Sequence, residues 1–503
     1  MKNRITLLVA LLLTPVAGLV AGADQEKPNI IYILADDLGY GDVHALNPER
    51  GKIATPHMDR LRAEGMTFTD CHTNSSVCTP TRYGIMTGRY AWRTKLQRGV
   101  LNGMSPPMIE SERLTVGELL QQHGYTTAII GKWHMGMNFD TDDYTKPITD
   151  GPLQHGFDYY FGISASLDMP PYVYIENDYF TAVPSEQKKF PSFIYGKVAR
   201  TGPVREGPAA ADFEAVKVLP ELARRTVDYI GKHAQGTKPF FLYLALPSPH
   251  TPVVPSQEWK GKSELGPYGD FVMQTDGLVG EVLKAVDENG LEKNTIVVMT
   301  SDNGCAAYIG VGQLEELGHF PSAQFRGYKT QLWEGGHRVP FLVRWPAKVK
   351  AGSESDELIC VTDLLATCAQ LVGAKLPDDA GEDSVSFLPA LLGDEMESQR
   401  DALVHHSYHG EFAIRQDKWK LLLCQGSGGA TTGETDEKSA IQLYDLSRDI
   451  SETTNLAEAH PEVVAALRKQ LDKIVNHGRS TPGAKQENEV PVQIVKPEDK
   501  KRK

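Results

Sequence analysis

Runs of apolar, β-branched residues recur along the chain, and the longest of them end on polar residues. Asn29-Ile30-Ile31-Tyr32-Ile33-Leu34-Ala35 gives way to Asp36-Asp37, and Thr126-Thr127-Ala128-Ile129-Ile130 leads into Gly131-Lys132-Trp133-His134. The run from Pro239 to Leu246 reaches Pro249-His250, and Thr295-Ile296-Val297-Val298-Met299-Thr300 stops at Asp302-Asn303-Gly304. Continuous rather than alternating apolar character is the mark of strands covered on both faces. Helical segments separate them. Thr115-Val116-Gly117-Glu118 has the reciprocal cap that starts a helix, expected to stop near Gly124, and an amphipathic stretch from about Tyr268 to Asp287 closes at Gly290. The pattern predicts an α/β fold, a large, mostly parallel sheet sandwiched by helices. In such sheets functional groups gather just beyond the carboxyl ends of strands, and all four runs deliver polar residues there.

The pattern changes after about residue 385. Phe412 to Cys424, with Lys418-Trp419-Lys420 inside it, and Ile441 to Leu446 read as antiparallel strands around a Gly-rich loop at 426–433; Pro461 to Val475 reads as an amphipathic helix. Beyond Gly478 the chain is polar and ends in Lys500-Lys501-Arg502-Lys503. At the other end, Lys2 and Arg4 precede an apolar run from Ile5 to Leu13 and a small-residue stretch, Ala21-Gly22-Ala23. That is the form of a secretory signal, and Pro15 and Gly18 break the run too early for a membrane span. The expected organisation is a signal peptide at 1–23, a catalytic domain at 24–385, a smaller C-terminal α+β domain with an antiparallel sheet at 386–478, and a polar, disordered tail at 479–503. The mature protein is expected to be exported, periplasmic or secreted, with no integral membrane segment.

Composition narrows the chemistry. A net charge of -13 argues against nucleic acid, which needs a basic face, though a cleft can still be locally positive. Six cysteines in 503 residues are no disulfide scaffold and lack zinc-site spacing; a local bridge involving Cys71 or Cys305 stays open. Asn74-Ser75-Ser76 has the form of a glycosylation acceptor. Asp36 and Asp37, with Asp302 and Asn303, offer oxygen donors from two strand ends, suited to calcium or magnesium rather than zinc. Either pair alone reads more readily as turn or capping chemistry than as a metal site.

Cys78-Thr79-Pro80-Thr81-Arg82, followed by Tyr83-Gly84-Ile85-Met86-Thr87-Gly88-Arg89, changes that balance. It resembles the signature of the formylglycine-dependent sulfatases, arylsulfatase A-like members of the alkaline phosphatase superfamily. So do Asp36-Asp37-Leu38-Gly39-Tyr40-Gly41-Asp42, Thr55-Pro56-His57-Met58-Asp59-Arg60-Leu61, Gly131-Lys132-Trp133-His134-Met135-Gly136, His155-Gly156-Phe157-Asp158, Pro249-His250-Thr251-Pro252, Ser301-Asp302-Asn303-Gly304 and Glu334-Gly335-Gly336-His337-Arg338-Val339-Pro340, all in family order. The likeness runs from about residue 28 to 345, with a weaker echo to about 456.

The resemblance implies that Cys78 is oxidised by a maturase to formylglycine (3-oxoalanine), whose hydrate is the nucleophile and a metal ligand. It implies one divalent cation, calcium with magnesium as the alternative, on Asp36, Asp37, Cys78, Asp302 and Asn303. Arg82 would hold the aldehyde hydrate, Lys132 and Lys329 the sulfate oxygens, and His134 would take a proton from the diol. His250 would protonate the leaving alcohol; Ser166, with neighbouring Ser164 as its rival, would join the diol network. Trp133 is expected to pack in the core, and Tyr159-Tyr160-Phe161 and Met169-Pro170-Pro171-Tyr172 to shape the pocket rim. The activity implied is hydrolysis of sulfate esters, on sulfated sugars or glycans, to an alcohol and inorganic sulfate. The alternative is a phosphonate monoester or phosphodiester hydrolase of the same superfamily. A glycan-binding module with a retained enzyme fold would be expected to have lost one of these reactive groups, and none is lost.

Overall fold

The computed structural model describes residues 27–194, 197–198, 204–396, 400–429 and 439–495. The expected signal peptide, residues 496–503 and part of the Gly-rich loop lie outside the described residues. At the centre are four parallel neighbours in a ten-stranded sheet: β1 (Asn29–Asp36), β2 (Thr126–Lys132), β3 (Phe240–Pro249) and β4 (Thr295–Ser301), arranged β4-β1-β3-β2. Every residue of β3 and β4 is buried, so side chains pointing to either face are covered. The helices Ala215–His233 and Gly266–Glu288 pack on each other and on β3, and Val116–Gln122 packs on β2.

Both margins of the sheet depart from the expected parallel order. Phe341–Arg344 runs antiparallel to β4 and to Met66–Phe68, while Ile175–Glu176 and Tyr179–Phe180 add a hairpin beyond Tyr159–Ile163. Edge strands can turn back through short loops because no crossover helix is needed there. The Thr115 cap is as read: its Oγ1 accepts from Glu118 N at 3.1 Å and its N donates to Glu118 Oε2 at 3.0 Å, and the helix ends at Gln122.

Downstream, Leu403–His406, Phe412–Gln416, Trp419–Leu422 and Gln442–Asp445 form a four-stranded antiparallel sheet in chain order, with helix Pro461–His477 packed against it. Leu403, Phe412, Ile414, Leu421 and Leu443 share a core with Leu467, Leu471 and Ile474 of that helix, and Tyr90 and Trp92 of the large part enter it. Residues 479–495 were expected to be loose. Instead they lie against the body: Glu489 N donates to Arg93 O at 2.7 Å, and Val492 and Ile494 cover the small core. Polar composition alone missed these few anchoring apolar residues.

All six cysteines are buried, and none is in a disulfide among the described residues. Asn74 is also buried, its Nδ2 donating to Pro80 O at 3.0 Å, so the folded protein offers no acceptor there. Tyr159, Tyr160 and Phe161 lie within the sheet strand Tyr159–Ile163 rather than on a rim, and Tyr160 is fully buried. Trp133 packs as expected, its Nε1 donating to Gly136 O at 2.7 Å.

Candidate active site

The carboxyl ends of β1, β2, β3 and β4 converge, and the helix Cys78–Thr87 starts beside them. Cys78 is its first residue, and Arg82 follows one turn later on the same face. The backbone bends sharply to make this convergence. The register of β1 against β3 shifts between Leu34 and Asp36. Asp37 (φ 66°) and His134 (φ 61°) occupy the left-handed region that side chains other than glycine rarely adopt, the kind of strain that gathers at functional sites. Just before Lys132, Gly131 (φ 120°) passes so close to β3 that a Cβ there would sit 1.9 Å from Ala245 O.

Charges interlock in this space. Arg82 forks onto Asp302, with Nε and Nη2 at 2.9 and 2.7 Å from Oδ2, and its Nη1 donates to Lys132 O at 3.1 Å. Lys132 Nζ lies 2.6 Å from Asp36 Oδ2, and Lys329 Nζ lies 2.6 Å from Asp37 Oδ1. Asn303 Nδ2 donates to Asp37 Oδ1 at 2.7 Å. Burial raises the Asp36 carboxyl, but Lys132, His250 and Arg82 outweigh it and hold the group well below the usual carboxylate range. Burial likewise pushes the Cys78 thiol up, against the pull of Lys132 and Lys329. A buried thiol raised in this way is a poor nucleophile as it stands.

The two histidines differ in protonation geometry. His134 donates from Nε2 to Leu101 O at 2.8 Å, leaving as an acceptor a buried Nδ1 with no partner among the described residues. Burial and Lys132 lower this imidazole well below its ordinary value. His250 donates from Nδ1 to Thr251 O at 2.7 Å and turns Nε2 toward the centre, 3.7 Å from Asp37 Oδ2. The Oγ atoms of Ser164 and Ser166 are both buried without a partner among the described residues, and Ser164 O accepts from His134 N at 2.9 Å.

Two oxygens, Asp36 Oδ1 and Asn303 Oδ1, are buried with no hydrogen-bond partner among the described residues. Orphaned acceptors cost free energy unless something electropositive meets them. Asp36, Cys78 and Asp302 present ligand atoms within 4.8 Å of one another, as do Asp36, Asp37 and His250. An oxygen-rich set of this kind fits a hard divalent cation.

The structure also brings in two residues that sequence reading passed over. Tyr308 donates to Asp37 Oδ2 at 3.3 Å, and Asp168 Oδ1 lies 3.9 Å from His250 Nδ1. Neither falls in a motif; the one signal was that Asp168 immediately precedes Met169-Pro170-Pro171-Tyr172.

The chain has clear relatives among known proteins. A family model described as sulfatase matches residues 28–374, and one described as N-sulphoglucosamine sulphohydrolase, C-terminal, matches residues 326–477. The chain is 35% identical over 488 residues to an N-acetylgalactosamine-6-O-sulfatase of Bacteroides thetaiotaomicron, covering 90% of this chain and 94% of the relative. It is 33% identical over 502 residues to human arylsulfatase A, covering 94% of this chain and 93% of the relative. Among solved structures, a Bacteroides thetaiotaomicron protein from work on the metabolism of multiple glycosaminoglycans superposes with a TM-score of 0.78 at 33% identity, over 89% of this chain and 99% of that one. The protein Ps i-CgsB, solved with a neocarrahexaose, gives a TM-score of 0.68 at 26% identity, over 89% of this chain and 92% of that one.

Proposed function

The chain belongs to the sulfatase family, and from that premise we propose that it is an exported glycan sulfatase that removes sulfate from sugars through a formylglycine at position 78. Sulfate-ester hydrolysis is the family's reaction; the glycan class is supported by relatives named for N-acetylgalactosamine 6-sulfate and by the neighbour solved with a neocarrahexaose. The observation that carries the mechanism is the placement of Cys78 at a helix start, with Asp36 and Asp302 within ligand distance and Arg82 one turn along.

Oxidised and hydrated, residue 78 supplies one hydroxyl that attacks sulfur and displaces the alcohol, and a second whose deprotonation expels the sulfate and regenerates the aldehyde. A divalent cation held by Asp36, Asp37, Asp302, Asn303 and residue 78 would polarise the sulfate. Calcium fits the oxygen-rich donors best. Arg82, fixed by its fork on Asp302, holds the hydrate in one orientation. Lys132 and Lys329 face the sulfate oxygens, where charge spreads in the transition state and preorganised cations are worth most. The free Nδ1 of His134 takes the proton from the diol. His250, anchored through Nδ1, presents Nε2 to the leaving oxygen as the proton donor. Ser166, or Ser164 beside it, completes the diol network.

Two measurements test the proposal. Peptide mass spectrometry on protein from its native host should find residue 78 as the aldehyde. The same preparation should then release inorganic sulfate from N-acetylgalactosamine 6-sulfate. An unmodified Cys78 in active protein would sink the mechanism. Hydrolysis of phosphonate monoesters in preference to sulfate esters would transfer the enzyme to the other activity of the superfamily.

A further inference from the structure

We infer that Asp168, clamped by Arg205, and the ring of Tyr308 form the part of the site that reads the sugar rather than the sulfate. The inference rests on the glycan reading above. Asp168 is almost fully buried, yet only one of its oxygens is used: Oδ2 is 3.0 Å from Arg205 Nη1, while Oδ1 has no partner among the described residues. That free oxygen lies 3.9 Å from His250 Nδ1, on the anchored edge of the ring whose Nε2 is assigned to the leaving alcohol. A buried carboxylate oxygen left bare costs free energy, so a hydrogen-bond donor belongs there.

The donor cannot be the sulfate, which is anionic and would be repelled. The neutral hydroxyls next to the scissile oxygen are the donors at hand, and a carboxylate accepts from hydroxyls strongly. Arg205 completes the pair from outside. Its side chain is half exposed, its N donates to Asp168 O at 2.9 Å, and Tyr172 donates to its carbonyl. The pair therefore runs from beside His250 to the half-exposed guanidinium of Arg205. Tyr308 supplies the wall. Its hydroxyl reaches Asp37 while the residue is 39% exposed, leaving aromatic surface for the apolar face of a pyranose.

The test compares two esters on enzyme whose residue 78 has been verified as the aldehyde by mass. One is p-nitrophenyl sulfate, which has no sugar hydroxyls. The other is N-acetylgalactosamine 6-sulfate, or the monosaccharide sulfate turned over fastest in a panel. In Asp168→Asn the ratio of kcat/KM for sugar sulfate to that for aryl sulfate should fall about 10- to 100-fold, the scale of one hydrogen bond to a charged group. Arg205→Gln, at a half-exposed position, should lower the same ratio by about threefold and serves if the first variant folds poorly. An equal loss on both esters would mean that Asp168 acts on the chemistry, and an unchanged ratio in both variants would mean that it contacts no substrate; either overturns the assignment. Wild-type enzyme that hydrolyses the aryl ester but no glycan sulfate would remove the glycan reading itself, before any variant is made.

Discussion

Replacing His405 with asparagine should make the fold less sensitive to acid. His72, His337 and His405 are fully buried where the small sheet meets the large one, with His337 and His405 stacked at 3.8 Å between centroids. His72 donates from Nε2 to Asp70 Oδ1 at 2.8 Å, and its Nδ1 meets His337 Nδ1 at 3.0 Å. Lys420 Nζ stands 3.0 Å from His337 Nε2 and Arg415 Nη1 stands 2.9 Å from His72 Nε2, so added positive charge is opposed from two sides. Burial, with His72 and Lys420, holds His405 well below its ordinary value against the pull of Glu334 and the hydrogen bond to Thr73. A depressed histidine binds its proton more readily unfolded than folded. Its stability contribution is therefore full above the unfolded value near 6.5 and is lost as pH falls below it.

While the folded form stays neutral, one such group costs at most about 1.4 kcal/mol per pH unit of acidification below about pH 6.5. Glu452 and Asp276, both pushed up to about 7 chiefly by burial, change in the opposite sense, so the total pH profile mixes signs. The difference between wild type and variant isolates His405. Asparagine keeps a donor for Thr73 O, which His405 Nδ1 reaches at 3.0 Å, but loses the ring stack. His405→Asn should therefore be about 1–3 kcal/mol less stable at neutral pH. As the pH falls below about 6.5 that deficit should shrink, by at most about 1.4 kcal/mol per pH unit. Urea unfolding followed by far-ultraviolet circular dichroism at several pH values measures the deficit and its change with pH. Parallel curves, with a difference independent of pH, would show that His405 titrates normally in the folded protein and would refute the reasoning.

Cys78→Ser should retain the fold but lose nearly all multiple-turnover sulfate release, and intact mass should reveal a sulfated serine if attack still occurs. Arg93→Ala should cost about 3–5 kcal/mol, because Asp383 would lose contacts at 2.7 and 2.8 Å and remain a buried charge without its partner; a urea midpoint shifted by less than about 1 kcal/mol would contradict that. Chelation of divalent cations should abolish activity, with calcium restoring it; recovery with zinc alone would contradict the oxygen-donor reading.

Much of the site was legible one segment at a time. An apolar strand followed by Asp36-Asp37, Lys132-Trp133-His134, His250 or Asp302-Asn303 announces both the strand and the polar groups at its end, because a buried parallel strand and the polar turn at its carboxyl tip are written in adjacent residues. The reciprocal cap at Thr115 is equally local. What tertiary structure alone decided is how separate segments meet. The antiparallel margins of the sheet, the docking of residues 479–495 through Val492 and Ile494, and the burial of Asn74 inside its own glycosylation sequon all depend on contacts distant in sequence. Asp168, Arg205 and Tyr308 belong to the same class. Each is unremarkable beside its chain neighbours, and only packing sets a bare carboxylate oxygen next to His250 and a tyrosine hydroxyl against Asp37. Local pattern reports what a segment must bury or expose, whereas the partner of a buried charge is known only once the chain has closed around it.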